Sequence, residues 1–188
     1  MKFNIVNLSN GSRVFLLEDF FVDNLYNDIV RLFNEYTVDN PDWFEDPIYS
    51  HAYHGRIVYR GTDPVIDKLT ALASNDTAWI CQQLGKEVEF SSLNLWLDLP
   101  GYQIPAHYDQ PHFEHAVQIY VPDHTNFWEM LGTCVYTDNN HHDPLFEINY
   151  RPNRGYLIDR TDTVKHGLNH SIPEPFRRQS VYLRYIIK

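Results

Sequence analysis

The strongest constraint on the fold is the alternation that begins at Glu87. From there to Leu99, the side chains of Leu93, Leu95, Leu97 and Leu99 fall on one side of an extended chain, and Asn94, Trp96 and Asp98 on the other. Further runs of strand character follow at 115–121, 132–136, 145–148, 155–159, 164–168 and 178–187, with Pro, Asn, Asp and Gly between them. Short strands separated by turns predict a sandwich or barrel. On the last run, Arg177, Gln179, Val181, Leu183, Tyr185 and Ile187 share a face, and Arg178, Ser180, Tyr182 and Arg184 share the other. The run at 115–121 divides in the same way, with Val117, Ile119 and Val121 opposite Gln118 and Tyr120. Three strands therefore carry one apolar and one polar-aromatic face. The apolar faces need a cover. The polar-aromatic faces would line the interior, a choice that suits a binding pocket.

The cover is expected from residues 1–86, which read as mainly helical support. A short strand is predicted over 14–20. Asp23 then reads as an N-cap, and Leu25, Ile29, Leu32, Phe33 and Tyr36 recur at helical spacing until Asn40-Pro41. Residues 41–55 read as an aromatic loop holding His51 and His54, and 56–59 as a strand. Thr62-Asp63-Pro64 opens a second helix with Val65, Ile66, Leu69, Leu72 and Ala73 on its apolar side. Ser74-Asn75-Asp76 is expected to break and recap it, and Gly85 to stop it.

Composition narrows the function. With 188 residues, 43% of them hydrophobic and 15% aromatic, the chain suits one domain, 1–188, with a real core. The formal charge is −10 and no basic patch appears, which argues against nucleic acid and anionic membrane as partners. No apolar run approaches membrane-span length, and the first residues contain no apolar signal core. Small molecules, amino acids or a peptide remain as partners. Cys81 and Cys134 lie far apart with no C-x-x-C, a pattern expected of reduced thiols in a cytoplasmic protein.

The chemistry concentrates at Gly101-Tyr102-Gln103-Ile104-Pro105-Ala106-His107-Tyr108-Asp109. In an extended segment His107 and Asp109 point the same way, presenting an imidazole beside a carboxylate, a donor pair that suits a divalent first-row metal. A chain with 10 His and 16 Asp holds about one H-x-D by chance, and a second is present at His141-His142-Asp143. A third ligand is needed. His112, His115, His124, His141 and His142 lie in or beside broken, loop-like segments. His166 follows a strand run and precedes the last strand with its Arg178-Gln179-Ser180, and His170 is a second possibility.

This order of residues resembles the Fe(II)/2-oxoglutarate-dependent dioxygenase superfamily, and within it the prolyl-4-hydroxylase-like branch. The family pattern is H-x-D, a long interval, a distal His, then an Arg on the last barrel strand, often as R-x-S. The chain shows His107-Tyr108-Asp109, His166 at 57 positions on from Asp109, and Arg178-Gln179-Ser180. From Asp143 only 23 positions remain to His166, too few for the intervening strands. The resemblance covers about 87–188 and implies a double-stranded β-helix, or jelly-roll barrel, with helices on the outer face of one sheet. It also implies His107, Asp109 and His166 as iron ligands and catalytic residues. Arg178 would hold the distal carboxylate of 2-oxoglutarate, with Ser180 and Tyr120 as further co-substrate contacts. The implied reaction is hydroxylation of a C–H bond with formation of succinate and carbon dioxide, and ascorbate would act as a stimulating reductant.

Two positions stay open. The interval from His166 to Arg178 is 12 residues, long for this branch, whereas from His170 it is 8; and Arg177 differs from Arg178 only in face parity. A cupin shares the barrel, and Gly101, His107, Asp109 and Glu114 resemble its first motif, but its second motif is absent. A non-catalytic ligand-binding barrel is the reading from another class. Trp96, Tyr102, Tyr108, Trp128 and Arg160 are candidates for a substrate mouth.

Overall fold

The structure is a computed structural model that describes residues 1–45, 55–109, 114–122, 131–136, 143–159 and 163–188. His51, His54, His112, His124, Trp128, His141, His142 and Arg160 lie outside the described residues.

In chain order the elements are β1 (Lys2–Asn7), β2 (Arg13–Glu18), α1 (Asp23–Asn34), β3 (Trp43–Glu45) and β4 (Arg56–Tyr59). Then come α2 (Pro64–Leu84), β5 (Val88–Asp98), β6 (Glu114–Tyr120), β7 (Thr133–Tyr136), β8 (Phe146–Ile148), β9 (Gly155–Ile158), β10 (Lys165–Gly167) and β11 (Arg178–Ile187). The large sheet has the order β1-β2-β9-β6-β11-β5-β4-β3, and a smaller one the order β10-β7-β8. Every described pairing is antiparallel. This is the expected mainly β jelly roll with N-terminal helices.

The alternation sorts side chains as expected. Leu95 and Leu97 on β5, Val117 and Ile119 on β6 and Val181, Leu183 and Tyr185 on β11 form one core with Leu25, Ile29, Leu32 and Phe33 of α1 and Leu69, Ala73, Ile80 and Leu84 of α2. The opposite faces meet a second core, with Tyr102, Tyr120, Val135, Ile148, Tyr150 and Tyr156, between the two sheets.

Three expectations need correction. The first 86 residues are less helical than expected, because the same stretch supplies β1 to β4. β1 and β2 extend the sheet beyond β9, and β3 and β4 extend it beyond β5, so the segment continues the sheet as well as covering it. β1 and β3 were not predicted; 41–55 reads as loop, yet Trp43 pairs with Tyr59. α2 is continuous through Ser74-Asn75-Asp76. Ser74 Oγ donates to the Thr70 carbonyl at 2.8 Å, so it bonds to the helix it was expected to interrupt, and the next hydroxyl, Thr77 Oγ1, donates to the Ala73 carbonyl at 3.2 Å. At the start of α1 the cap position is Val22, and Asp23 is the first helical residue, where its charge complements the helix dipole. The expected cap of α2 is present: Asp63 accepts from the Val65 N–H at 2.9 Å, with Pro64 in the first turn.

Among the described residues no helix is long and apolar enough to cross a membrane. Both cysteines are free thiols.

Leu69 is fully buried between α2 and the sheet. Leu69→Ala is expected to destabilise the protein by about 2–5 kcal/mol through lost burial and a residual cavity, measured by chemical denaturation.

Candidate metal centre and co-substrate cavity

His107 lies in the connection after β5, and His166 at the centre of β10. The two residues exchange both backbone hydrogen bonds: His107 N–H to the His166 carbonyl at 3.0 Å, and His166 N–H to the His107 carbonyl at 2.9 Å. Reciprocal pairing puts their side chains on one face, with ring centroids 4.7 Å apart. Two residues on, Asp109 turns its carboxylate between them, its Oδ1 at 3.7 Å from each Nε2. All three donor atoms lie within 4.8 Å of one another.

The donor set fits a divalent first-row metal. Two imidazole nitrogens and one carboxylate oxygen converge, as the facial triad of non-haem iron requires. The His107 Nδ1 faces the Pro105 carbonyl at 2.9 Å, so it carries the proton and leaves the Nε2 lone pair toward Asp109. Burial pushes the His166 imidazole below its usual range despite Asp109, keeping it neutral as a ligand must be. Burial opposes the Asp109 charge, but His166 and His107 outweigh it and hold the carboxyl below its ordinary value. For His107, burial is outweighed by the nearby Asp109 carboxylate and the hydrogen bond to the Pro105 carbonyl, and its basicity rises. A proton on His107 therefore competes with any metal.

His170 is exposed, with its Nε2 beside Asn169 at 3.3 Å, and takes no part in the cluster. Glu114, the further residue of the cupin-like motif, forms an ion pair with Arg184 and also stays outside it.

The triad lines a cavity whose other walls include Arg56, Trp96, Gln118, Thr133, Tyr156, Arg178 and Tyr182. Parity on β11 places Arg178 inward and Arg177 outward. Arg178 is 2% exposed, whereas Arg177 is exposed and lies over the Tyr36 ring. The Arg178 guanidinium donates to the Leu131 carbonyl (2.9 Å), Thr133 Oγ1 (2.9 Å) and Asp98 Oδ2 (3.0 Å). These contacts use one N–H on each terminal nitrogen, and each carries a second.

Ser180 and Tyr120 are not among the lining residues; they stand one layer behind. Ser180 Oγ accepts from Gln118 Nε2 at 2.9 Å, and the Tyr120 hydroxyl donates to Thr133 Oγ1 at 2.7 Å while accepting from the Thr133 N–H. Gln118 and Thr133 are the groups that reach the cavity. Tyr156 donates to Gln118 Oε1 at 2.7 Å, and burial raises its pKa, so it stays a neutral phenol. Of the expected mouth residues, Trp96 lines the cavity, stacked on Tyr182 at 4.1 Å. Tyr102 is fully buried behind Arg56, and Tyr108 is partly exposed beneath Lys165.

The sequence reading missed Arg56 and Thr133 as cavity groups, and Asp98 as the buried carboxylate that holds Arg56 and Arg178. The signal for Asp98 was present: it shares the inner face of β5 with Trp96, and a carboxylate there needs a buried cation beside it.

No protein-family model matches the chain, and no curated protein is significantly similar to it. Comparison of folds does find solved structures. HygX from Streptomyces hygroscopicus, with nickel, 2-oxoglutarate and hygromycin B bound, superposes with a TM-score of 0.63 at 11% identity, over 92% of this chain and 82% of that one. A Pseudomonas putida prolyl-4-hydroxylase gives 0.63 at 14% identity, over 93% and 91%. SnoN, a non-heme alpha ketoglutarate dependent epimerase from nogalamycin biosynthesis, gives 0.63 at 12% identity, over 92% and 78%. At these identities the similarity is one of fold.

Gly167 follows His166, and a Cβ there would lie 2.7 Å from the Pro105 carbonyl oxygen and 2.8 Å from that of Ile104. Gly167→Ala must push the two histidine-bearing segments apart, at an expected cost of about 1–3 kcal/mol, read as a lower melting temperature.

Proposed function

We propose that the chain is a non-haem Fe(II) oxygenase that uses 2-oxoglutarate and dioxygen to hydroxylate a C–H bond of a small molecule, amino acid or peptide side chain. The observation that carries this reading is the convergence of His107, Asp109 and His166 on one side of a cavity that also holds the buried Arg178. The fold shared with HygX, crystallised with 2-oxoglutarate, and with a prolyl-4-hydroxylase supports it.

In this reading His107, Asp109 and His166 would hold the metal through two imidazole nitrogens and one carboxylate oxygen. Iron bound there, with 2-oxoglutarate, supplies the activation of dioxygen. The atoms balance: one oxygen enters the substrate as hydroxyl, the other enters succinate, and the C1 carboxylate leaves as carbon dioxide. The chain's own groups hold and orient. Pro105 fixes the His107 tautomer, and the backbone bridge fixes the spacing of the two imidazoles. Arg178, which keeps a second N–H on each terminal nitrogen, would meet the distal carboxylate in a charge-assisted contact. Ser180 and Tyr120 support that site through Gln118 and Thr133. Trp96 and Tyr182 form the apolar wall against which a substrate lies. Residues 1–188 act as one domain, with α1 and α2 stiffening the large sheet.

His107→Ala, Asp109→Ala and His166→Ala are each expected to remove most of the bound metal, while His170→Ala retains it, by metal analysis after loading. Arg178→Ala is expected to weaken use of 2-oxoglutarate by about 2–5 kcal/mol, far more than Arg177→Ala. The reaction itself is tested with iron, ascorbate and 2-oxoglutarate labelled at C1. Labelled carbon dioxide should appear, faster with the true substrate, and disappear with Asp109→Ala. No release from iron-loaded, folded protein would leave a binding barrel. Oxygen uptake without a 2-oxoglutarate requirement would point to cupin-type chemistry. Product mass decides between hydroxylation, which adds an oxygen atom, and epimerisation, which does not.

A further inference from the structure

Three neighbouring strands place Arg56, Asp98 and Arg178 in one row. Arg56 on β4 stands directly opposite Asp98 on β5, which stands directly opposite Arg178 on β11. Directly paired residues project to the same face, here the cavity face, and the three are 3%, 0% and 2% exposed. Asp98 is shared unequally. Arg56 takes both its oxygens, Nε to Oδ1 at 2.6 Å and Nη2 to Oδ2 at 3.0 Å, whereas Arg178 has one contact, Nη1 to Oδ2 at 3.0 Å. Arg56 is itself clamped, its guanidinium 4.0 Å from the Trp96 ring centroid and 4.6 Å from that of Tyr102.

This asymmetry matters because Asp98 has the same functional group as the ligand proposed for Arg178. A buried carboxylate beside a buried guanidinium forms a two-bond pair whenever geometry permits. We propose that Arg56 is a positioning residue that occupies Asp98 and so keeps its carboxylate from closing onto Arg178 in the place of 2-oxoglutarate. The inference rests on the co-substrate reading above. Arg56 does two things here. It engages both Asp98 oxygens, so that Arg178 keeps a single bond to Asp98 beside those to Thr133 and the Leu131 carbonyl, with a second N–H left on each terminal nitrogen. It also neutralises Asp98, so that the row carries one net positive charge toward a dianionic ligand. Without Arg56 the row is neutral, and Asp98 turns both oxygens to Arg178 as an internal competitor. The row would then bind the co-substrate weakly although Arg178 itself is intact.

The test is calorimetric affinity for 2-oxoglutarate in Mn(II)-loaded protein without oxygen, so that no turnover is needed. Arg56→Gln is expected to weaken binding by at least about tenfold. The double variant Arg56→Gln with Asp98→Asn removes the competing carboxylate together with its partner, and should return affinity to within about threefold of the parent protein. Arg56→Lys, which keeps the charge but not the two-bond fork, should lie between. Melting temperatures show which variants fold. If Arg56→Gln does not fold, the double variant and Arg56→Lys carry the comparison. Tight binding by Arg56→Gln overturns the proposal, as does a double variant no tighter than Arg56→Gln. The latter result would mean that Arg56 contacts the ligand itself. Absence of binding in the parent protein would instead overturn the co-substrate reading, so the two failures are distinct.

Discussion

The candidate site depends on one short piece of backbone pairing. His107 and His166 are 59 positions apart, and two N–H to carbonyl bonds of 3.0 and 2.9 Å bring them together. Each bond alone contributes little net stability, but the pair sets the spacing and facing of the two imidazoles, which side-chain contacts alone could not do. The connection after β5 is tied down further along the same line, since the Leu168 N–H meets the Ile104 carbonyl at 2.8 Å and the Ile172 N–H meets the Tyr102 carbonyl at 2.9 Å. Gly167 sits within this seam because no Cβ fits against the carbonyls of Ile104 and Pro105. The small sheet thus delivers His166, the loop after β5 delivers His107 and Asp109, and the seam between them is the hinge of the arrangement.

Behind the triad, the large sheet solves a different problem, the burial of charge. Taking a guanidinium out of water is costly, and a buried ion pair seldom recovers more than it loses. Two arginines and one aspartate on adjacent strands reduce that cost by sharing contacts, and the rings of Trp96 and Tyr102 serve the rest of Arg56. Such an arrangement is hard to justify by stability alone, since apolar side chains of similar volume would fill the same space at less cost. It fits the anion site proposed for Arg178. Lysine would not replace Arg178, because three neutral or anionic acceptors must be met at once by a planar group with donors at fixed angles.

Much of this was legible in the sequence, for physical reasons that can be located. Period-two alternation holds over 93–98 of β5, 117–120 of β6 and 178–184 of β11, because one face meets the helices and the other the cavity, so these inward residues could be read directly; beyond Arg184 the pairing of β11 with β5 shifts register. The order of His107, Asp109, His166 and Arg178 was read from its resemblance to a family pattern and not from periodicity, since His107 and Asp109 lie in the connection after β5. The choice of Arg178 over Arg177 followed from parity, and the surroundings of the two side chains agree with it. What escaped reading has no local signature. β1 and β3 are short edge strands, each paired only with the next strand in the chain, and α2 runs through a polar triplet in which Ser74 turns its hydroxyl back to the helix. Ser180 and Tyr120 face inward as parity requires, but depth is not encoded in parity, and Gln118 and Thr133 stand in front of them.

Arg56 shows the limit most clearly. Its own segment, Arg-Ile-Val-Tyr, is a four-residue strand with an ordinary charged first position, of the kind that usually faces solvent. Only registration across three strands makes it the neighbour of Asp98, and only the second neighbour, Arg178, turns an ion pair into a division of one carboxylate between two cations. The sequence does contain the demand for such a group, because Asp98 ends β5 on the face opposite its leucines, and a carboxylate buried there needs a partner. It does not contain the address of the residue that meets it. A buried charge in an alternating strand is therefore best read as half of a statement, to be completed from the strands on either side. Here the completion lies in the N-terminal segment, which joins the sheet at its far edge and so reaches the cavity that the rest of the barrel encloses.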